Sequence, residues 1–177
     1  MPDSNKKANR YHYIVFFVWL LFTLIAAIYF IQGRLNSFDP EMNLVDKDSD
    51  LIINQVRELS ELKNVDLKNS IIHFTSNDCS CTPFSREHKA SINKQAKLDG
   101  FNIINITLPP HSAIIIPSTP SILIIDELEK LLYFGPYSVG LACSESNGYV
   151  ETVLHNYAKG YNSDLIISDA EGCYCNI

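Results

Sequence analysis

The chain has 177 residues, with 20 acidic against 14 basic side chains and a formal charge of −6. An acidic chain of this kind lacks the basic surface that neutralises phosphates, which argues against nucleic acid as a partner. The length suits one domain plus appendages, and there is no phosphate-binding loop, no dinucleotide fingerprint and no convincing Ser-His-Asp set.

The first ten residues carry Lys6, Lys7 and Arg10 against Asp3 and read as a cytoplasmic N-terminus. From Tyr11 to Ile31 there is no Asp, Glu, Lys or Arg, and only His12 and Thr23 interrupt the apolar run. Such a stretch matches the roughly 20 residues that cross a bilayer as a helix. It is too long for the apolar region of a cleaved signal peptide, and Ala26-Ala27 is followed by bulky residues, so an uncleaved anchor in the lipid bilayer through residues 11–31 is expected. Cations before the run, with only Arg34 close behind it, put the N-terminus inside and the body outside.

Residues 32–49 read as a linker. Leu51, Ile52, Val56, Leu59 and Leu62 recur at helical spacing, with Asp50 as N-cap. Ser70–Thr75 reads as a buried strand and Ser76–Thr82 as a loop. Pro83 suits the first turn of a helix running to Leu98. Phe101–Leu108 reads as a strand, and 109–120 as a loop with four prolines. Ser121–Ile125 and Leu131–Phe134 form a hairpin that Gly135-Pro136 ends. Tyr149–Tyr157 has helical spacing, and residues 161–177 form a polar tail. This order gives an α/β layer with a mixed sheet flanked by helices, whose parallel strand pair crosses over right-handed.

Five cysteines, at 79, 81, 143, 173 and 175, all lie on the outer side, where disulfides persist. Cys79 and Cys81 fall between a buried strand and a helix start. Unpaired N–H groups and the helix dipole stabilise a thiolate there. A second thiol nearby resolves a mixed disulfide.

The segment from about 68 to 160 resembles the thioredoxin superfamily, and bacterial membrane-anchored thioredoxin-like proteins in particular. The residues that carry the likeness are the strand Ile71–Phe74, the cysteines at 79 and 81, and Ile116–Ile125 with its Thr119-Pro120 pair, 41 residues after Cys79. The likeness implies a thioredoxin-like domain over 50–160 and a cis bond at Thr119-Pro120. It implies an inner-membrane, single-pass protein with its domain in the periplasm. It also implies an oxidoreductase that exchanges thiols and disulfides with protein substrates. In that reading Cys79 attacks, Cys81 resolves and His73, where the family has a buried acid, assists proton transfer. Thr119 and Pro120 dock an extended substrate segment by strand addition. No cofactor and no metal are called for. The chain departs from the family in having Cys-Ser-Cys-Thr for Cys-x-x-Cys, and Asp78 where an aromatic usually stands.

Other readings of the same cysteines stay open. Cys79 and Cys81 bridged to Cys173 and Cys175 would be a non-catalytic module with structural disulfides, and sequence does not choose among the three pairings of four cysteines. Two Cys-x-Cys pairs would also suit a four-thiolate zinc site, or copper with help from His73, His88, His111 or His155, as in a metal-binding chaperone. Cys173 and Cys175 are read as a staple for the tail. Cys143 is a further disulfide candidate, with no role assigned.

Overall fold

In a computed structural model of the chain, residues 4–32, 35–109, 115–140 and 148–177 are described. Ser4–Gln32 forms helix α1. Its stretch Arg10–Ile31, 22 residues, is long and apolar enough to cross a membrane. At about 1.5 Å per residue it measures ~33 Å, against a hydrocarbon core of about 30 Å. Thr23, a polar side chain near its middle, satisfies itself by donating to the Leu20 carbonyl at 2.8 Å.

Residues 35–177 form a separate unit. Its centre is a five-stranded mixed sheet in the order β3-β2-β5-β6-β7. The strands are β2 (Ser70–Ser76), β3 (Asn102–Leu108), β5 (Ser121–Ile125), β6 (Leu131–Pro136) and β7 (Leu165–Ile166). β2 runs parallel to β3 and antiparallel to β5, β5 and β6 form a hairpin, and β7 joins β6 in parallel. The hairpin turn closes on the Asp126 carboxylate, which accepts from the Leu128 and Lys130 amides at 2.8 and 2.7 Å.

The strands are apolar on both faces because both faces are covered. One face carries Ile72, Phe74, Leu123, Ile125 and Phe134 and packs on helix α2 (Ser49–Arg57). The other carries Ile71, Ile122, Ile124 and Leu132 and packs on helices α3 (Arg86–Leu98) and α4 (Tyr149–Tyr157). A 3-10 turn over Thr82–Ser85, with Pro83 in its first positions, leads into α3.

Several boundaries differ from the sequence reading. The cap of α2 is Asp48, whose carboxylate accepts from the Asp50 amide at 2.8 Å, so the helix starts at Ser49 and stops at Arg57. Ile53 is buried, whereas Leu51 is exposed. β6 continues through Gly135 and Pro136, which pair with Ile122 and Ser121.

The larger correction concerns the ends of the domain. Residues 35–48 are not a spacer, and residues 161–177 are not an appended tail. β1 (Asn36–Ser37) pairs antiparallel with β8 (Glu171–Gly172). Phe38 is fully buried and meets Tyr174 edge-on, with centroids 5.4 Å apart. The Asp39 carboxylate accepts from the Asn43 and Leu44 amides at 2.9 and 2.7 Å and so folds the next turn. The polar composition of both segments hides these few anchoring side chains. Phe38→Ala is therefore expected to cost about 3–5 kcal/mol, the range for deleting a buried aromatic ring. Urea unfolding of the full chain checks this, and a cost near zero would restore the linker reading.

Candidate functional site

The cysteines reach one place from four short pieces of backbone. Cys79 and Cys81 follow β2, with the Cys79 amide bonded to the Ser76 carbonyl at 3.3 Å and the Phe84 amide to the Cys81 carbonyl at 3.1 Å. Cys173 follows β8, and its amide donates to the Gly140 carbonyl at 3.2 Å. Cys175 opens β9 (Cys175–Asn176), which pairs antiparallel with β4 (Ser118–Thr119). The bonds cross from one Cys-x-Cys pair to the other, Cys79 to Cys175 and, nested inside it, Cys81 to Cys173, with Cα–Cα separations of 5.6 and 5.5 Å. Cys79 and Cys81 are not joined to each other, so Cys81 does not stand as the direct partner of Cys79 in this state.

The four sulfurs form one cluster. Cys79, Cys81 and Cys173 are 3–5% exposed, while Cys175 is only partly buried and is the most exposed residue of the four. Cys79 Sγ lies 3.4 Å from the Thr119 carbonyl oxygen. A disulfide sulfur carries no hydrogen, so this contact becomes a hydrogen bond only after reduction. The Thr119–Pro120 bond beside it is cis. Thr119 and Pro120 thus stand next to the cysteines, but the Ser118–Thr119 edge, expected to be open for a substrate strand, is already occupied by Cys175–Asn176. Cys143 and His111 lie outside the described residues.

His73 belongs to a different polar group. It sits mid-strand in β2 with its ring fully buried. Asn93 Oδ1 is 2.7 Å from Nε2 and only accepts, so Nε2 carries the proton; Nδ1 then accepts from the Tyr137 hydroxyl. Burial, assisted by the nearby Lys89 ammonium, depresses the imidazole pKa to about 3, and the hydrogen bond to Asn93 only partly offsets this. Burial also raises the Tyr137 phenol and lowers Lys89. The expectation that His73 trades protons near neutral pH gives way: the ring is neutral, and both its nitrogens are engaged by partners other than cysteine.

His88, buried on α3, bonds through Nε2 to the Glu151 carboxylate on α4 and packs against the Tyr137 ring with centroids 6.0 Å apart. A cleft of about 410 Å³ opens between these two helices, lined by Ser91, Gln95, Asp99, Glu151 and His155 among others, with no cysteine in its wall among the described residues. Asn93, Tyr137 and Glu151 escaped the sequence reading because their partners are 20 to 64 residues away. Helical spacing on α3, which puts Asn93 one turn after Lys89, was the available signal for the first of them. His155 lines the cleft and does not join the cysteines.

Fold and site define a small mixed α/β domain with a buried two-disulfide cluster, joined to a helix able to cross a membrane. Residues 50–177 match the family described as a domain of unknown function, DUF6436, and the chain belongs to that family. No curated protein and no solved structure matches it.

Proposed function

We propose that this chain is a thioredoxin-like, membrane-anchored thiol-disulfide oxidoreductase acting on proteins outside the cytoplasm of a bacterial cell. The observation that carries this reading is the placement of the cluster. A disulfide with one partly exposed member, Cys175, lies where β2 gives way to the helical turn, against Thr119 and the cis Pro120. In the oxidised form a substrate thiolate attacks Cys175 Sγ. A substrate–Cys175 disulfide forms and Cys79 leaves as a thiolate beside the Thr119 carbonyl, to which its thiol donates once it takes up a proton. A second substrate thiolate attacks the substrate sulfur of that mixed disulfide and expels Cys175. The substrate loses two electrons and two protons, and the cysteine pair gains them. In the reducing direction Cys79 attacks a substrate disulfide as a thiolate and expels one substrate thiolate; Cys175 then attacks Cys79 Sγ, expels the second and closes the Cys79–Cys175 bond again.

The test uses Cys175→Ser, which leaves Cys79 permanently free while Cys81–Cys173 stays closed. This variant in membranes is expected to accumulate reductant-sensitive adducts with other proteins through Cys79, and Cys79→Ser/Cys175→Ser is expected to lose them. An absence of adducts through Cys79 sinks the proposal.

One observation favours a second reading. Crossed bonds between Cys79–Cys81 and Cys173–Cys175 staple the C-terminal strand to the domain, which is what inert structural disulfides would do. Under that reading, mild dithiols leave both bonds intact in the folded protein. Under the redox reading, Cys79–Cys175 opens first, at Cys175, the less buried of its two residues.

The cations at Lys6, Lys7 and Arg10 support an N-terminus in the cytoplasm and a periplasmic body anchored in the inner membrane. Alkaline phosphatase fused after Ile177 is then expected to be active in intact cells. A fluorescent protein that folds only in the cytoplasm should stay dark at the same position.

A further inference from the structure

The crossed arrangement has a second consequence that does not depend on turnover of any substrate. The tail is held at the cluster by much more than sulfur. Asn36 Nδ2 donates to the Tyr174 carbonyl at 2.8 Å, and the Tyr174 hydroxyl donates to the Ser138 carbonyl at 2.6 Å. β1 pairs with β8, β4 with β9, and the Ile177 amide bonds to the Pro117 carbonyl at 3.2 Å. Ser118 Oγ bonds to the Phe38 carbonyl and the Asn176 side chain at 2.7 and 2.9 Å. Opening the disulfides therefore frees four thiols on segments that have these further contacts to bring them together around a ligand.

The sulfurs of Cys79, Cys81 and Cys175 lie within 4.8 Å of one another, and Cys173 is bonded to Cys81 in the same cluster. Four thiolates around zinc at about 2.3 Å form a tetrahedron whose edges are about 3.8 Å. Three of the sulfurs are thus already close to that spacing, and Cys173 Sγ, outside that set, swings in once its bond to Cys81 opens. The ligands come as two Cys-x-Cys pairs on separate segments, three of the four residues are almost fully buried, and the group contains no His or carboxylate among the described residues. A closed set of four soft anions with no open position is the chemistry of a structural zinc site and not of a catalytic one.

We propose that in the fully reduced state Cys79, Cys81, Cys173 and Cys175 together bind one Zn²⁺. Two external dithiols each donate two electrons and two protons and open one disulfide apiece. Zn²⁺ then replaces the four thiol protons, with no further electron transfer. Reoxidation by two equivalents of an external disulfide, each taking two electrons, closes both bonds and expels the metal. The site is thus either two covalent links or one zinc, and in both forms the tail stays fastened. Metal binding offsets the chain constraint lost on reduction, because binding free energy at such a site is folding free energy.

The test uses the full-length protein in detergent, reduced with a phosphine, desalted without oxygen and titrated with Co²⁺ alone. One equivalent is expected to give the intense visible bands of tetrahedral cobalt thiolate, together with sulfur-to-cobalt charge transfer. One equivalent of Zn²⁺ should abolish them. Cys81→Ser/Cys173→Ser, which leaves only two of the four ligands, should lose the tetrahedral thiolate spectrum. Oxidation of the loaded wild type with diamide should release all the cobalt as both disulfides form. If the reduced apoprotein proves unfolded by circular dichroism, refolding on addition of one Zn²⁺ supports the site, and failure to refold overturns it. An octahedral cobalt spectrum, or an unchanged spectrum in the double variant, also overturns it. Adduct formation through Cys79 reports separately on the redox reading.

Discussion

Removing both disulfides is expected to cost about 6–7 kcal/mol, whereas removing either one alone costs only about 2 kcal/mol. The bonds close sequence separations of 96 and 92 residues, so taken singly each would constrain the unfolded chain by about 4.7 kcal/mol. Their ends are only two residues apart on either side, however. Once one bond is in place, the second closes a loop of just a few residues, and the same relation gives it about 2 kcal/mol. The pair is therefore redundant for the large loop, and the loss should be strongly non-additive. Cys79→Ala/Cys175→Ala and Cys81→Ala/Cys173→Ala should each unfold at a slightly lower urea concentration than wild type. The quadruple variant should lose a stability comparable to that of a whole small domain and be largely unfolded at ambient temperature. Urea unfolding followed by circular dichroism on the full chain in detergent, without added metal, measures all three. Two equal losses of about 4–5 kcal/mol that simply add would show that the bonds do not share a loop, and that the crossed pairing is wrong.

How far the sequence reaches is visible in where this constraint sits. The apolar run of α1, the strand-helix-strand order from Ser70 to Leu108 and the hairpin from Ser121 are all local patterns, and each is found close to where periodicity and turn residues put it. The cis bond at Thr119-Pro120 and its position beside Cys79 also follow from spacing and likeness. What local pattern does not carry is pairing at a distance. Nothing in residues 35–48 announces that Phe38 is a core residue, because a single buried ring in a polar segment has no period. Likewise Ala170, Cys173 and Tyr174 are buried in a stretch rich in Asn, Ser and Asp, anchored by strands of two residues each. Four cysteines admit three pairings, and only the antiparallel seat of Cys175 beside Thr119 selects the crossed one. The same blindness explains His73. Its distance from Cys79 in sequence suggested a part in the chemistry, but its character is set by Asn93, Lys89 and Tyr137, which come from other elements.

That character makes His73 a determinant of acid stability. In the folded protein its pKa is depressed to about 3, chiefly by burial and then by Lys89, whereas in the unfolded chain it titrates near 6.5. Above pH 6.5 neither state binds the proton and the group leaves stability unchanged with pH. Between about 6.5 and about 3 only the unfolded chain takes the proton, so stability falls as pH is lowered, by about 1.4 kcal/mol per pH unit. Below about 3 both states are protonated and the loss stops growing. Wild type should therefore lose roughly 3 kcal/mol between pH 6.5 and pH 4 through this one residue. His73→Gln presents a neutral side chain to the same pocket. It should be less stable than wild type at pH 7, where it gives up part of the bonding to Tyr137 and Asn93, but the gap should close or reverse by pH 4. Urea unfolding of both proteins at pH 7, 6, 5 and 4 separates this from the titration of carboxylates, which the two share. Parallel stability curves would mean that the ring is charged in the folded state or that it is not buried. A pH–rate profile for disulfide exchange with a limb near 6.5 that vanishes in His73→Gln would return His73 to the chemistry. A profile unchanged by the substitution is expected, because a ring that stays neutral across the physiological range holds Tyr137 and Asn93 in place and neither takes up nor gives away a proton.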